Sequence, residues 1–571
     1  MTASGRTTSR LAEVLPVLDW LPRYDRSWLR ADILASLTVW ALVVPQSIAY
    51  AQIAGLPPQA GLFATFAGLL GYGLLGTSRQ LVVSPTSSTA AISASLVAAM
   101  AVGGDATFAS LSSALALTLG IVFVVLSVAK LGFVSRFIPV AVSIGFMFAL
   151  GLTIMIGQLS KVLGVPSVDG SFVEQLVALI PELDQISWPT LALGAAALVA
   201  LVLGRRYAPG IPMALVVVVG GVIAVAAFGL AAQGVEVIGD VDASIPLPAL
   251  PDVSFNDLLV LIPGALAIAV MGYAETSQVS EGFAEEHDYE VRPDQELLAL
   301  GAANALSGFF QGFIVGGGAS QSAAADRAGA RTLLVSLIVA GLTVLTAVAL
   351  MPLFRDLPQA VLGAIVISAV AGFVRVDQLR HLAAIRRDSI VLAIVALVST
   401  LILGILSGLI TAVFLSLIYL LVRISRPSVA EMGRLPDGIF AAIGDERGAV
   451  DRPGLLVLRL GAPLLFLNAR HLRDEMRVRV RAAESPVSVV VLDLSMSAEL
   501  DVESRDLLDR MAAQLRRDGV DLWLVNVRHD VVEMLERPDE AGHQVTLPRF
   551  ASMETAYDAF EAIGSRPGSE R

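Results

Sequence analysis

Two short stretches rich in hydroxyl groups and glycine interrupt an otherwise apolar chain. One is Val82-Val83-Ser84-Pro85-Thr86-Ser87-Ser88-Thr89; the other is Gly316-Gly317-Gly318-Ala319-Ser320-Gln321-Ser322. Proline suits a first helical turn and Ser or Thr suits an N-cap, so a helix is expected to start near Pro85. Three glycines break the second stretch, and a short helix is expected after them. A helix start leaves about four N–H groups without intrahelical partners and carries roughly half a positive charge. Two such starts facing each other offer donors and positive potential to an anion. Hydroxyls of Thr86, Ser87, Ser88 and Ser320 add neutral donors, so an ion bound there could leave again. Small residues also let transmembrane helices pack closely, and motif shape alone fits that reading equally well.

A third residue with chemistry is Glu275, in Ala267–Glu275, a run with no other charge. An acid at membrane depth is costly and is usually functional. It could carry a proton with an anion, so that the two charges offset. It also fits a structural carboxyl hydrogen-bonded to Ser or Thr, or one facing cytoplasmic water. Glu281, Glu285, Glu286, His287 and Asp288 follow in a polar loop and read as solvated surface.

These residues need a membrane scaffold, and the composition supplies one. The chain has 571 residues, 55% hydrophobic and 16% charged, with mean hydropathy +0.74. Soluble domains carry about 25% charged residues. A net charge of −12 gives no basic surface for nucleic acid. With no cysteine, thiolate metal sites, disulfides and Cys nucleophiles are excluded. The five histidines are scattered, no cofactor motif is present, and no nucleophile or phosphate loop suggests an enzyme. The first 30 residues lack the early apolar core of a secretory signal.

Apolar runs of about 20 residues are read as spans. Ile33–Ser78 holds two, broken at Gly55-Leu56-Pro57-Pro58; Gln80–Gly104, Ala106–Ala129 and Phe137–Ser160 hold one each. Leu191–Gly204, Pro212–Leu230 and Leu258–Ser280 follow, then Leu297–Ala325 as two short pieces, Thr332–Phe354, Leu357–Val374 and two in Ser389–Val422. The sum is 14 spans, with the interrupted stretches third and tenth. Paired interrupted segments in corresponding places point to the site of an inverted-repeat transporter. Arg6, Arg10, Arg23, Arg26 and Arg30 before the first span, Arg205 and Arg206 after the sixth, and Arg375, Arg380, Arg386 and Arg387 after the twelfth place both termini in the cytoplasm. Arg79, Arg327 and Arg331 read as interfacial anchors.

After Ile424 charges become dense. Strands are expected at Leu455–Leu460, Val487–Leu494 and Leu522–Val527, with helices at Ala469–Ala483, Val502–Arg517, Val531–Arg537 and Met553–Ala562, an α/β domain. Asp493 and Asp501 fit strand-end and cap roles, and Ser504 a helix start.

Val44-Pro45-Gln46-Ser47-Ile48-Ala49-Tyr50-Ala51, Ala54–Pro58, Gly76–Gln80, Asn304–Phe313 and Ala328–Thr332 together resemble the signature of the sulfate permease (SulP) family of anion transporters, related to the animal solute-carrier anion exchangers and prestin. Pro453–Arg459 and Ala462–Ala469 resemble the start of its cytoplasmic STAS domain. The resemblance implies an α-helical membrane protein of two inverted seven-span repeats, followed by the α/β STAS domain. It implies a core of spans 1–4 and 8–11, a gate of spans 5–7 and 12–14, and a homodimer in the cell membrane. The organisation that follows is a cytoplasmic segment 1–30, a transport domain 31–425, a STAS domain 440–563 and a tail 564–571. Gln46, Tyr50, Thr86, Ser87, Gly318, Ala319 and Ser320 match the family's pocket positions. Many members have Arg where this chain has Gln321; without that charge the attraction for a divalent anion such as sulfate falls, and a monovalent ion such as bicarbonate or chloride becomes more plausible. Bacterial relatives carry Glu at position 275 for suspected proton coupling, and sodium-coupled relatives carry Asp. The function implied is secondary transport of a small inorganic anion with a proton or sodium ion by an elevator-like movement. A dicarboxylate or nucleobase carrier, a chloride-conducting exchanger and a membrane-anchored STAS signalling protein are the alternatives.

Overall fold

The computed structural model describes residues 15–101, 107–133, 139–166, 170–208, 211–239, 246–385, 387–444, 448–538 and 546–564. Arg6, Arg10, Arg386 and residues 565–571 of the expected tail lie outside them. The chain divides into two units, Met1–Leu417 and Ile418–Arg571.

The first unit is helical. α1 (Leu29–Ile53) and α2 (Pro58–Leu75) lead into the two-residue strand β1 (Val83–Ser84) and α3 (Ser87–Ala101). Then come α4 (Phe108–Val128), α5 (Val140–Leu163), α6 (Phe172–Glu182), α7 (Trp188–Tyr207), α8 (Met213–Phe228), α9 (Phe255–Glu286) and α10 (Pro293–Phe309). The second strand, β2 (Gly316–Gly317), precedes α11 (Ala319–Arg327), α12 (Leu334–Leu345), α13 (Gln359–Val370), α14 (Val376–Ile385), α15 (Arg387–Leu403) and α16 (Ile405–Ser425). Among the described residues, eight helices are long and apolar enough to cross a membrane. Other expected spans coincide with shorter helices, α3 and α8 among them.

Among these helices, α6 and α14 escaped the sequence reading. α6 begins with a Ser171–Glu174 capping box and α14 carries Asp377 in its first turn. Both are amphipathic, so an apolar-run search passes over them.

Close helix contacts set the packing. A Cβ on Gly61 would stand 2.0 Å from the Ser47 carbonyl oxygen, and one on Gly145 2.0 Å from that of Ala393. The α1–α2 and α5–α15 crossings therefore have no room for a side chain at these points. Tyr72, Tyr273, Phe146 and Phe313 are among the largest fully buried side chains.

The second unit is a mixed sheet of β3 (Val429–Arg434), β4 (Phe440–Ala442), β5 (Leu455–Leu460), β6 (Val489–Asp493), β7 (Asp521–Val525) and β8 (Arg549–Phe550), in the order β4-β3-β5-β6-β7-β8. β5 to β8 run parallel, and β3 is antiparallel to both β4 and β5. Along β5, Leu456, Leu458 and Leu460 share one core with Leu472 and Met476 of α17 (Phe466–Ala482) and with Leu508 and Met511 of α18 (Val502–Arg517). Leu455 and Val457 face the other way, onto Met553 and Ala556 of α20 (Met553–Gly564). The short α19 (His529–Glu536) adds Val531 and Leu535 to the first core. A strand covered on both faces reads as an unbroken apolar run, which is why β5 to β7 were legible. Asp493 ends β6. Asp501 caps α18, accepting from the Ser504 N–H at 2.7 Å.

Candidate functional site

The two interrupted stretches meet. β1 and β2 pair antiparallel, Val83 opposite Gly317 and Ser84 opposite Gly316. The ladder continues where the Gly318 N–H donates to the Val82 carbonyl at 3.0 Å, and the Val82 N–H donates to Ser322 Oγ at 2.9 Å. The helices that leave the ladder, α3 and α11, therefore start beside one another. Pro85 lies in the link between β1 and α3, so α3 begins two residues later than the proline alone suggests.

The two starts differ. On α3, Thr86 Oγ1 accepts from the Thr89 N–H at 3.2 Å, an N-cap bond that occupies part of the hydroxyl expected to serve a ligand. The same oxygen lies 2.8 Å from Ser88 Oγ and 3.1 Å from Thr89 Oγ1. On α11 the residue before the helix is Gly318, which has no side chain to cap it. The first-turn N–H groups of Ala319, Ser320 and Gln321 thus keep the character of open donors. The Gly318 N–H is spent on the ladder.

Helix α9 ties the two halves together with consecutive residues. Ser88 Oγ donates to Glu275 at 3.2 Å, on the α3 side. Thr276 Oγ1 accepts from the Gly317 N–H at 3.1 Å, on the β2 side. Thr86, Thr89, Glu275, Thr276, Gly316 and Gly317 enclose a cavity of about 20 Å³. That space holds about one water molecule.

A larger cavity of about 280 Å³ is lined by Gln46 of α1 and Ser320 of α11. Ala319 and Ser320 are exposed, whereas Gln46, Tyr50, Thr86, Ser87, Ser88, Gly318 and Gln321 are buried. Gln321 joins the two cavity residues: its Nε2 donates to Gln46 Oε1 at 2.9 Å, and its Oε1 accepts from Ser320 Oγ at 3.0 Å. Tyr50 faces Ser87. Of the expected residues, Gln46 and Ser320 line the larger cavity with Gln321 bonded to both, Thr86 and Glu275 line the smaller with Ser88 bonded to both, and Tyr50, Ser87, Gly318 and Ala319 line neither.

Several supporting residues were not singled out from sequence. Asn304 of α10, fully buried, donates to the Leu300 and Val315 carbonyls at 3.0 Å and accepts from the Val315 N–H at 2.9 Å. It thereby fixes the chain just before β2. Glu296 accepts from Tyr72 Oη at 2.7 Å and from the Thr77 N–H and hydroxyl at 2.8 and 2.6 Å, which anchors the link from α2 to β1. Asp32 accepts from Tyr24, the Arg331 N–H and Thr332. Both acids stand beside other charges at the edge of an apolar run, Asp32 after Arg30 and Glu296 after Arg292 and Asp294, and so gave no sign of these partners, which come from 219 to 300 residues away for Thr77 and Thr332. His287 pairs with Asp326 at 2.6 Å. Arg205 and Arg327 line the larger cavity, not only an interface.

A family model described as "Sulfate permease family" matches residues 29–396, and one described as "STAS domain" matches 448–543. The chain belongs to the sulfate permease family. A probable sulfate transporter of Mycobacterium tuberculosis is 35% identical over 94% of this chain and 96% of its own length. Sulfate transporter 3.1 of Arabidopsis thaliana is 28% identical over 94% of this chain and 85% of its own. The solved structure of murine Solute Carrier 26 family member A9, an anion transporter, superposes with TM-score 0.88 at 23% identity, covering 98% of this chain and 96% of that one. The transmembrane domain of a cyanobacterium bicarbonate transporter gives 0.60 at 20% identity over 69% of this chain and 98% of its own. The sulfate permease relatives are transporters rather than enzymes, and the fold is that of a multi-pass membrane protein followed by a STAS domain.

Proposed function

We propose that this protein is a secondary active transporter of small inorganic anions of the sulfate and bicarbonate class. The observation that carries the reading is the β1–β2 ladder, which sets two helix starts side by side with hydroxyls, glutamine amides and the uncapped turn of α11 around them. Gln46, Tyr50, Thr86, Ser87, Ser88, Gly318, Ala319, Ser320 and Gln321 form the anion site. The ion enters the larger cavity at Gln46 and Ser320 and takes donors from the first turn of α11. Neutral donors hold it without a fixed charge, so release stays fast.

Glu275 supplies the coupling. As a carboxylate beside Ser88 it repels an incoming anion; once protonated it does not, and it can itself donate. Proton and anion then occupy the region together and their charges offset. Sodium coupling is the other outcome of the test. Because the ladder and α9 join α3 to α11, these helices travel as one body against the gate helices. The chain works as a homodimer with both ends in the cytoplasm.

The test is uptake of labelled sulfate and bicarbonate by purified protein in liposomes, with proton and sodium gradients imposed separately. Fumarate, uracil and chloride serve as competitors. Ser320→Glu and Thr86→Glu are expected to abolish uptake at normal membrane abundance. Full uptake by both variants would remove the site from this location.

A further inference from the structure

The interior of the proposed site is neutral, so a divalent anion meets no fixed cation among Gln46, Ser320 and Gln321. Two arginines share the wall of the same 280 Å³ cavity: Arg205, near the end of α7, and Arg327, at the end of α11. Arg327 follows Ser320 by seven residues on one helix, which is two turns and roughly 10 Å of rise. Its Nε donates to the Ala323 carbonyl at 3.1 Å, leaving the rest of the guanidinium available. Both arginines are exposed, and among the described residues neither forms a salt bridge. Arg206, the neighbour of Arg205, instead lies over the Tyr207 ring and does not line the cavity.

We propose that Arg205 and Arg327 form a capture site for anions at the mouth of this cavity, outside the neutral binding residues. Two exposed cations in a concave wall raise the local anion concentration and pass the ion inward without holding it. α7 packs on α13, α8 and α5, and α11 packs on α1; on the proposed reading α7 belongs to the gate and α11 to the core. The pair therefore exists only while both face one cavity, and capture acts from one side of the membrane. This inference rests on the anion-transport reading.

Valence separates capture from a structural role. Loss of one cation that raises KM about three-fold for bicarbonate must raise it about ten-fold for sulfate, because the interaction scales with the charge of the ion. Arg205→Gln and Arg327→Gln are expected to show this square relation in liposome transport assays from the capture face. They are also expected to flatten the ionic-strength dependence of kcat/KM, and Arg206→Gln to change neither. Equal factors for both ions, or unchanged KM and salt dependence, would overturn the proposal. The absence of any native cysteine allows a second measurement on Arg327→Cys. An ammonium-bearing methanethiosulfonate should restore sulfate KM, and a sulfonate-bearing one should raise it further; reagents acting alike would count against capture. Sulfate is also expected to slow labelling of that cysteine. Slowed labelling in a protein that moves no anion would keep the capture site and refute transport; labelling indifferent to sulfate would refute capture itself.

Discussion

Asn304→Leu tests whether the site is held by the backbone frame behind it. Asn304 makes three hydrogen bonds, two of them to the Val315 N–H and carbonyl, one residue before β2. The third, to the Leu300 carbonyl, lies within its own helix. Leucine has similar bulk and removes all three. The Leu300 carbonyl stays in a helix, but both Val315 groups are left buried and unpaired. Each such group costs about 1–3 kcal/mol, so the local penalty is about 2–6 kcal/mol. The ladder it supports is two residues long on each side and cannot absorb that amount. The Val315–Gly318 stretch should relax, α11 should lose its register with α3, and uptake should fall at least about ten-fold. Global folding should suffer less, since the affected segment is short. The assay pairs labelled-anion uptake with the monodisperse fraction surviving heating in detergent. Uptake within two-fold of the unaltered protein would show that the ladder does not depend on Asn304 and would refute this account of how the site is held.

Glu275→Gln keeps an acceptor for Ser88 but cannot ionise, so anion uptake should lose its pH dependence; an unaltered pH profile would exclude proton coupling through this residue. Gln321→Arg should return a fixed charge to the site and raise the sulfate-to-bicarbonate uptake ratio, and a fall in that ratio would count against the assigned position. Gly61→Val places a side chain where the Ser47 carbonyl stands 2.0 Å from an added Cβ, and should abolish correctly folded protein as judged by size-exclusion profile. In the STAS domain, burial pushes the Asp493 carboxyl up, but hydrogen bonds from Asn526, Arg459 and the Ser495 N–H outweigh it and hold it below the usual range. A depressed carboxyl contributes stability that is present above the unfolded value near 4 and is lost as pH falls through the folded value. Asp493→Asn should therefore cost about 1.5–3 kcal/mol at neutral pH, and denaturation of the two proteins should converge below about pH 4; a constant difference would contradict this.

Much of this architecture was readable because each signal was local. Pro85 with its hydroxyls and the three glycines at 316–318 marked both helix starts, and Val502–Arg517 was found at its true ends from a polar–apolar period. β3 and β4 were missed since Val429–Arg434 contains Glu431, Gly433 and Arg434, and Phe440–Ala442 is three residues long. Neither gives a run or an alternation. The division of the site residues between two cavities was also illegible. It depends on which way Gln321 turns, and Gln321 turns toward Gln46, 275 positions earlier. Glu296 and Asp32 were overlooked for the same reason, their partners being distant in the chain.

The ladder of Val83–Ser84 with Gly316–Gly317 is made of main-chain groups alone, and that separates two kinds of inheritance. On the proposed site, substitutions at 46, 320 or 321 would change what the cradle prefers without touching those main-chain bonds. A lineage can therefore drift from one cargo to another by single exchanges while its chassis persists.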